Sequence, residues 1–390
     1  MNTRTTRTTR PTRKTHHVRL RRTVIAVASS AAALSLSACS IVDSISGDGG
    51  SGSSSGPKKG NDITVGLLLP EKENTRYEKF DYPMIKKQVA AMTSNKGKVE
   101  YANAESDEGK QKTQIQQMIS DKVDVILLDA VNSKTIASSV QAAKDAGIPV
   151  IAYDRLAEGP IDAYLSFDND LVGEVQGRAL LKALGKNTSS KKIVMMNGSP
   201  SDPNAAQFKQ GALSELQGNV EIVKSYDTKD WKGENAAANM KKAISAVGLH
   251  NIDAVYAAND VLGGAVIDVL KDAGVTEIPP VTGQDAELDA VQRLVSGDQY
   301  MSVYKPYPDE AIAAAEMAVL RAQGRSIEFE ALAGDTIDSP TNKDILYRMV
   351  PVVTLTKANV KDTVVKDGIY TVKQICTAKY AEDCVAAGLK

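Results

Sequence analysis

Charged, amide and aromatic side chains recur where the β-branched runs of this sequence end. The set comprises Arg76, Tyr77, Asn132, Asp154, Arg155, Asp168, Asn204, Trp231, Asp260, Gln284, Asp285 and Lys305. Carboxylates accept hydrogen bonds, Arg and Lys donate them, and side-chain amides do both. Sugar hydroxyls also donate and accept, and the C–H faces of a pyranose ring pack on aromatic rings. The set therefore predicts a monosaccharide-binding site.

Several members of this set also have a structural interpretation. An Asn or Asp just after a strand is commonly the N-cap of the following helix. This interpretation applies to Asn132, Asp168, Asn204 and Asn259. Trp231, the only Trp of the chain, could instead lie in the core. The recurrence at nearly every strand end favours the site, because ligands of open α/β sheets bind beyond the carboxyl ends of the strands.

The histidine content limits the enzymatic alternatives. His16 and His17 lie near the N-terminus, which leaves His250 alone in the rest of the chain. A catalytic triad would have to use His250, and no multi-His metal site can form. We expect neither a cofactor nor a metal ion, and no enzymatic activity. A glycosidase needs only two carboxylates, so it stays open as an alternative.

Short β-branched runs alternate with amphipathic stretches from Ile63 onward, which predicts parallel sheets covered on both faces by helices. The predicted strands are Ile63–Leu69, Lys98–Asn103, Val123–Leu128, Pro149–Tyr153, Tyr164–Phe167, Ile193–Asn197, Val220–Tyr226, Ile252–Ala257, Val281–Thr282, Tyr300–Tyr304 and Val352–Leu355. The run is too long for one sheet, so we expect an α/β protein of two lobes. A TIM barrel is the rival architecture, but the pattern restarts near Ile193.

The first 39 residues are predicted to be a targeting segment. A basic stretch ends at Arg21-Arg22, an apolar stretch runs from Val24 to Leu36, and Leu36-Ser37-Ala38-Cys39 resembles the bacterial lipobox. A transmembrane helix is the alternative, but the apolar stretch is shorter than the roughly 20 residues that a span needs. We expect Cys39 to be lipidated. The export route, general secretory or twin-arginine, stays open.

The composition after Cys39 fits an exported protein. Residues 40–60 are rich in Gly and Ser and predict a flexible tether. Eight of the 47 Lys and Arg residues and none of the 48 Asp and Glu residues lie before Cys39, so the folded part is acidic and a poor binder of nucleic acid. Outside the cytoplasm, the pair Cys376 and Cys384 is most simply a disulfide.

Seven motifs, in order over nearly all of residues 63–370, resemble the periplasmic sugar-binding proteins of the ribose/galactose/xylose type, in particular the xylose-binding and multiple-sugar-binding proteins. They are Pro70-x-Lys72-x-x-x-Arg76-Tyr77, Tyr153-Asp154-Arg155-Leu156, Ser166-Phe167-Asp168-Asn169, Gly198-Ser199-Pro200-x-Asp202-x-Asn204-Ala205, Asn259-Asp260, Gly283-Gln284-Asp285-Ala286 and Val303-Tyr304-Lys305. Tyr77 stands where relatives often have Trp, and Pro203 is a second departure beside Asn204.

The resemblance implies a type I periplasmic binding protein fold, with two lobes joined by three chain crossings and the sugar held between them. It implies one lobe of residues 61–167 plus 286–328, and a second lobe and tail of residues 168–285 plus 329–390. Each lobe would be a parallel sheet flanked by helices. By position, the family's ligand contacts fall on the set of strand-end residues given above.

Two classes of function remain beside the glycosidase considered above. We expect a monomeric solute-binding lipoprotein on the outer face of the cell membrane that captures a monosaccharide, with D-xylose favoured, by lobe closure and delivers it to the permease of an ABC importer. Glucose, arabinose or galactose as the ligand, or service as the partner of a signalling receptor, are the alternatives. A sugar-responsive transcription regulator would need a DNA-binding motif before residue 60, where the sequence has a leader and a tether instead.

Overall fold

The computed structural model describes residues 60–389. The predicted signal peptide, Cys39 and nearly all of the predicted tether lie outside these residues. The described strands are β1 Thr64–Leu69, β2 Lys98–Asn103, β3 Val125–Leu128, β4 Val150–Tyr153, β5 Ala163–Phe167, β6 Lys192–Asn197, β7 Glu221–Asp227, β8 Ala254–Ala257, β9 Ser302–Tyr304, β10 Asp335–Ile337, β11 Ile345–Val350 and β12 Val353–Leu355.

Helices occupy most of the intervals between these strands. They are α1 Tyr82–Met92, α2 Glu108–Ser120, α3 Ala137–Asp145, α4 Asn169–Leu184, α5 Pro203–Leu216, α6 Gly233–Val247, α7 Asp260–Asp272, α8 Leu288–Ser296, α9 Tyr307–Ala322, α10 Ser326–Ala333, α11 Val372–Ile375 and α12 Ala381–Ala386. A short π-helical turn, Tyr77–Asp81, precedes α1. Within residues 60–389, no helix combines the length and apolarity needed to cross a bilayer.

The first sheet has the strand order β10-β11-β5-β4-β3-β1-β2 and is parallel except for the antiparallel pair β10 and β11. Its central strands are apolar throughout because both faces are covered. Leu67 and Leu69 pack with α1 and α9 on one face, and Leu68 packs with α2 and α3 on the other. This alternation follows from the two-residue period of a strand.

The second sheet has the order β7-β6-β8 and is parallel, and the short strands β9 and β12 pair antiparallel beside it. Helices α4 and α5 pack against each other so closely that a Cβ at Gly173 would lie 2.0 Å from the carbonyl oxygen of Phe208. At Gly211 a Cβ would lie 2.0 Å from the carbonyl oxygen of Asp170. Only glycine allows this approach of the two backbones.

The strand pairing corrects the predicted division of the chain. Residues 329–390 were assigned to the second lobe, but β11 pairs with β5 of the first sheet and β10 pairs with β11. Residues 286–328 were assigned to the first lobe, but Val303 bonds to Gly283 and packs in the core of the second sheet. Only from α9 onward does this segment pack on the first sheet. Pairing between strands that lie far apart in the chain decides which lobe these residues join. A local sequence pattern does not reveal such pairing.

The C-terminal residues form a small core of their own. Cys376 and Cys384 are joined by a disulfide. The segment packs Ile375 and Cys384 with residues of α8 and with Tyr304 and Tyr370. The tail therefore lies against the stretch of chain that precedes α9.

Candidate functional site

A cavity lies where the carboxyl ends of the strands of both sheets face each other. Its lining is mostly polar and buried, as expected of a site for a small polar ligand. The lining residues are Glu71, Asn74, Tyr77, Asp154, Arg155, Asp202, Asn204, Phe208, Trp231, Asn259, Gln284, Asp285 and Lys305. Eight of the twelve predicted contacts are therefore brought together here: Tyr77, Asp154, Arg155, Asn204, Trp231, Gln284, Asp285 and Lys305.

Asp154 lies directly after β4 and turns the chain into the cavity. Its backbone has φ 59°, a left-handed conformation that is costly for most residues and is often found at functional sites. The carbonyl oxygen of Asp154 accepts hydrogen bonds from Ser166 Oγ at 2.7 Å and Tyr164 Oη at 3.0 Å. These bonds hold the strained turn in place.

Arg76 is not among the residues that line the cavity, and its role as a ligand contact stays a prediction. It is buried behind the cavity, where its Nε lies 2.8 Å from Asp81 and its Nη1 lies 3.1 Å from Asp154. Its Nη2 contacts Glu310. Burial opposes ionisation of Asp154, but the charges of Arg76, Lys305 and Arg155 outweigh it and lower the pKa of Asp154. Arg76 thus keeps Asp154 ionised as an acceptor.

Arg155 joins the two sides of the cavity. Its Nε lies 3.4 Å from Asp129 at the end of β3 and 3.0 Å from Asp202, which caps α5. Trp231 donates its indole N–H to the same Asp202 carboxylate at 3.0 Å. Burial raises the pKa of Asp202, although Arg155 counteracts it. Guanidinium, carboxylate and indole therefore form one connected network across the cavity.

Two further polar contacts cross between the sheets. Asn204 donates to the carbonyl oxygen of Asp154 at 3.0 Å and to its carboxylate at 3.2 Å. Asn74 donates to Asp285 at 2.7 Å, and Lys305 forms an ion pair with Asp285 at 2.8 Å. The structure is therefore a closed form, with both sides of the cavity in direct contact.

Trp231 lines the cavity and also packs against Gly198 and Phe208. Its ring lies so close to Gly198 that a Cβ there would be 2.0 Å from the indole. It also meets Phe208 edge-on, with ring centroids 6.3 Å apart. The site and core interpretations of Trp231 are therefore not exclusive, because one edge is packed while the residue lines the cavity.

Asn132, Asp168 and Asp260 also lie outside the cavity lining, and their ligand contacts stay predictions. Asn132 accepts from the N–H groups of the turn that follows it. Asp168 caps α4 by accepting from the Leu171 N–H at 3.0 Å. Asp260 accepts from the buried Ser302 hydroxyl, and burial raises its pKa to about 8. The N-cap interpretation holds for Asp168, whereas Asn204 bonds across the cavity.

Five lining residues were missing from the predicted set: Glu71, Asn74, Asp202, Phe208 and Asn259. Asp202 and Asn259 stand within the recognised motifs, and Asn259 both caps α7 and lines the cavity. Glu71 and Asn74 follow β1 and could have been found from that position alone. Phe208 lies inside α5, where an apolar residue at helical spacing carries no signal for a site.

This fold matches that of a known protein family. The family model described as a periplasmic binding protein domain matches residues 65–326. The chain belongs to this family, and its fold is that of the two-lobed type I periplasmic binding proteins.

Named relatives narrow the class. The D-xylose-binding periplasmic protein of Escherichia coli is 34% identical over 315 residues, which are 79% of this chain and 91% of the relative. The multiple sugar-binding periplasmic protein SbpA of Azospirillum brasilense is 32% identical over 334 residues, 80% of this chain and 90% of that protein. An ABC transporter solute-binding protein of Clostridium phytofermentans, solved with β-D-glucose, superposes with a TM-score of 0.73 at 26% identity, covering 80% of this chain and 99% of that one. The chain is thus a sugar-binding protein of the ABC-transporter class and not an enzyme.

Proposed function

We propose that this protein captures one monosaccharide in the cavity between its lobes and delivers it to the permease of an ABC importer. The sugar that we propose first is D-xylose. The observation that carries the proposal is the network of Arg155, Asp202, Asn204 and Asp154 across the cavity. These groups supply charged acceptors and donors to sugar hydroxyls from both sides at once.

The polarity of the cavity supports a hydroxyl-rich ligand. Gln284 Oε1 is buried and has no hydrogen-bond partner within the described residues, so a ligand hydroxyl could donate to it. Tyr77 and Trp231 supply ring surfaces for the apolar face of a pyranose. The mixture of both kinds of group is what a pyranose requires.

D-xylose is favoured because the relative named for it is 34% identical to this chain over 315 aligned residues, whereas the protein solved with glucose is 26% identical. Glucose, arabinose and galactose are the alternatives within the same class. Service to a signalling receptor would use the same closed form and the same ligand.

Calorimetric titration of the purified protein with these four sugars tests the proposal. We expect one sugar per chain and the lowest Kd for D-xylose. A lower Kd for D-glucose would transfer the assignment to glucose, and the absence of binding to all four would refute monosaccharide capture.

We also propose that the mature protein is anchored through a lipid on Cys39, which lies outside the described residues. Its support is the lipobox-like stretch that ends at this residue. A Cys39→Ala variant should be released into the medium or persist as an uncleaved precursor. Processing and membrane fractionation like those of the wild type would refute the anchor.

A further inference from the structure

Glu71 occupies a central place in the cleft that the proposed function does not use. Its side chain is 4% exposed and lines the main cavity. It also lines an adjoining cavity, together with Ser199, Ser201 and Trp231 from the second-sheet side. One carboxylate oxygen accepts from the Asn74 N–H at 3.0 Å. Glu71 is thus buried in the cleft and lines its cavities together with residues of the opposite lobe.

The charges around Glu71 do not neutralise it. Arg155 is the nearest cation, but its guanidinium already lies between Asp129 and Asp202. Among the described residues, no Lys or Arg forms an ion pair with Glu71 itself. Glu287, which precedes α8, adds a like charge.

The rest of the cavity carries more carboxyl groups than cations. Its lining holds Glu71, Asp154, Asp202 and Asp285 against Arg155 and Lys305, and Lys305 is paired with Asp285. A buried excess of negative charge is costly and is relieved when a carboxyl group binds a proton.

We propose that Glu71 is a further ligand-contact residue that takes up a proton when the lobes close on the sugar. As a carboxylic acid, it can donate to a sugar oxygen and accept from a neighbouring hydroxyl. This inference rests on the proposed function, because it requires that the cleft opens and closes around a monosaccharide.

The direction of the pH dependence follows from linkage. In the closed form, burial raises the pKa of Glu71 to about 7, with Arg155 acting against it. In an open cleft, water would solvate Glu71 and its pKa would be close to 4.5. Because the closed form binds more protons, the sugar affinity rises as the pH falls. Between pH 8 and pH 6 this single group predicts a rise of about tenfold.

The test is calorimetric titration with D-xylose, with D-glucose in parallel, at pH 6, 7 and 8 in buffers of different ionisation enthalpy. We expect the tenfold rise and an uptake of about half a proton per bound sugar at pH 7. A Glu71→Gln variant, uncharged at every pH, should lose both effects. Glu277→Gln, at an exposed position, removes one negative charge elsewhere and should keep both effects.

Each outcome separates this inference from the proposed function. If neither sugar binds at any pH, monosaccharide capture itself fails. If a sugar binds with equal affinity at pH 6 and pH 8 and without proton uptake, the role of Glu71 is wrong while sugar binding stands. If Glu71→Gln keeps the pH dependence of the wild type, another carboxyl group such as Glu287 takes up the proton and the assignment to Glu71 is refuted.

Discussion

Asp202 joins three contacts at the cavity. It caps α5, accepts the indole N–H of Trp231 and faces Arg155 across the cleft at 3.0 Å. Its position between the two sheets means that the last of these contacts exists only in the closed form. The recognised motif contained Asp202, but nothing in a sequence pattern distinguishes a cap that also bridges two lobes from an ordinary cap.

Asp202→Asn should weaken sugar binding without unfolding the protein. The single Asn oxygen can still cap α5, but an amide NH₂ then replaces the oxygen that accepts from Trp231 and faces Arg155, and the negative charge is lost. Hydrogen bonds to charged groups contribute on the order of 1.5–3 kcal/mol, so the Kd for D-xylose should rise roughly tenfold to a hundredfold in calorimetry. An unchanged Kd would show that the Arg155–Asp202 contact does not support the bound state.

Asp168→Ala serves as the matched control, with the opposite expectation. The sequence predicted that Asp168 binds sugar hydroxyls, whereas in the structure it caps α4 outside the cavity. Loss of the cap should cost about 1 kcal/mol of stability and lower the Tm. The Kd should stay within about threefold of the wild type, since the free energy of an N-cap does not enter binding. A large loss of affinity would show that Asp168 contacts the sugar.

At the scale of elements, the local sequence pattern predicts which strands form but not which strands pair with each other. Strands such as Lys98–Asn103 and Ile193–Asn197 were predicted nearly to the residue. Ile345–Val350 was missed, although it pairs with Ala163–Phe167 of the first sheet. Val281–Thr282 was predicted as a strand but contributes only an isolated bridge to Val255.

The close contact of α4 and α5 positions Asn204 and Phe208 in the cavity. A Gly211→Ala substitution would place a methyl group against the backbone of α4 and force the helices apart. We expect a loss of about 1–3 kcal/mol of stability and a weaker affinity for the sugar. Thermal unfolding and calorimetry measure the two effects.

Gly109→Ala in α2 is the control for Gly211→Ala. In the structure, the Cβ at this position would meet only the carboxylate of Asp107, at 3.2 Å. Alanine favours helices over glycine by roughly 1 kcal/mol, so this variant should be as stable as the wild type or more so. If both variants behave alike, the tight packing of α4 on α5 does not limit stability.

At the scale of the whole molecule, the two-lobed fold and the position of the ligand cavity could be predicted because parallel sheets direct their carboxyl ends to one side. The lobe boundaries could not, because they depend on pairing between β5 and β11, which lie far apart in the chain. The sequence also did not reveal how the charged groups are arranged around the cleft. Arg76 and Asp129 are buried members of the network, and only the folded structure shows that they stand behind the cavity and not in it.

Titration of Trp231 fluorescence with D-xylose tests the central claim, that a monosaccharide binds between the two lobes, most directly. Trp231 is the only Trp of the chain and lines the cavity, so excitation at the red edge of the Trp band isolates it. We predict a saturable change in emission with one sugar per chain, and the same Kd as in calorimetry. Sugar binding by calorimetry with no change in Trp231 emission would contradict the account, because the ligand would then lie outside this cavity.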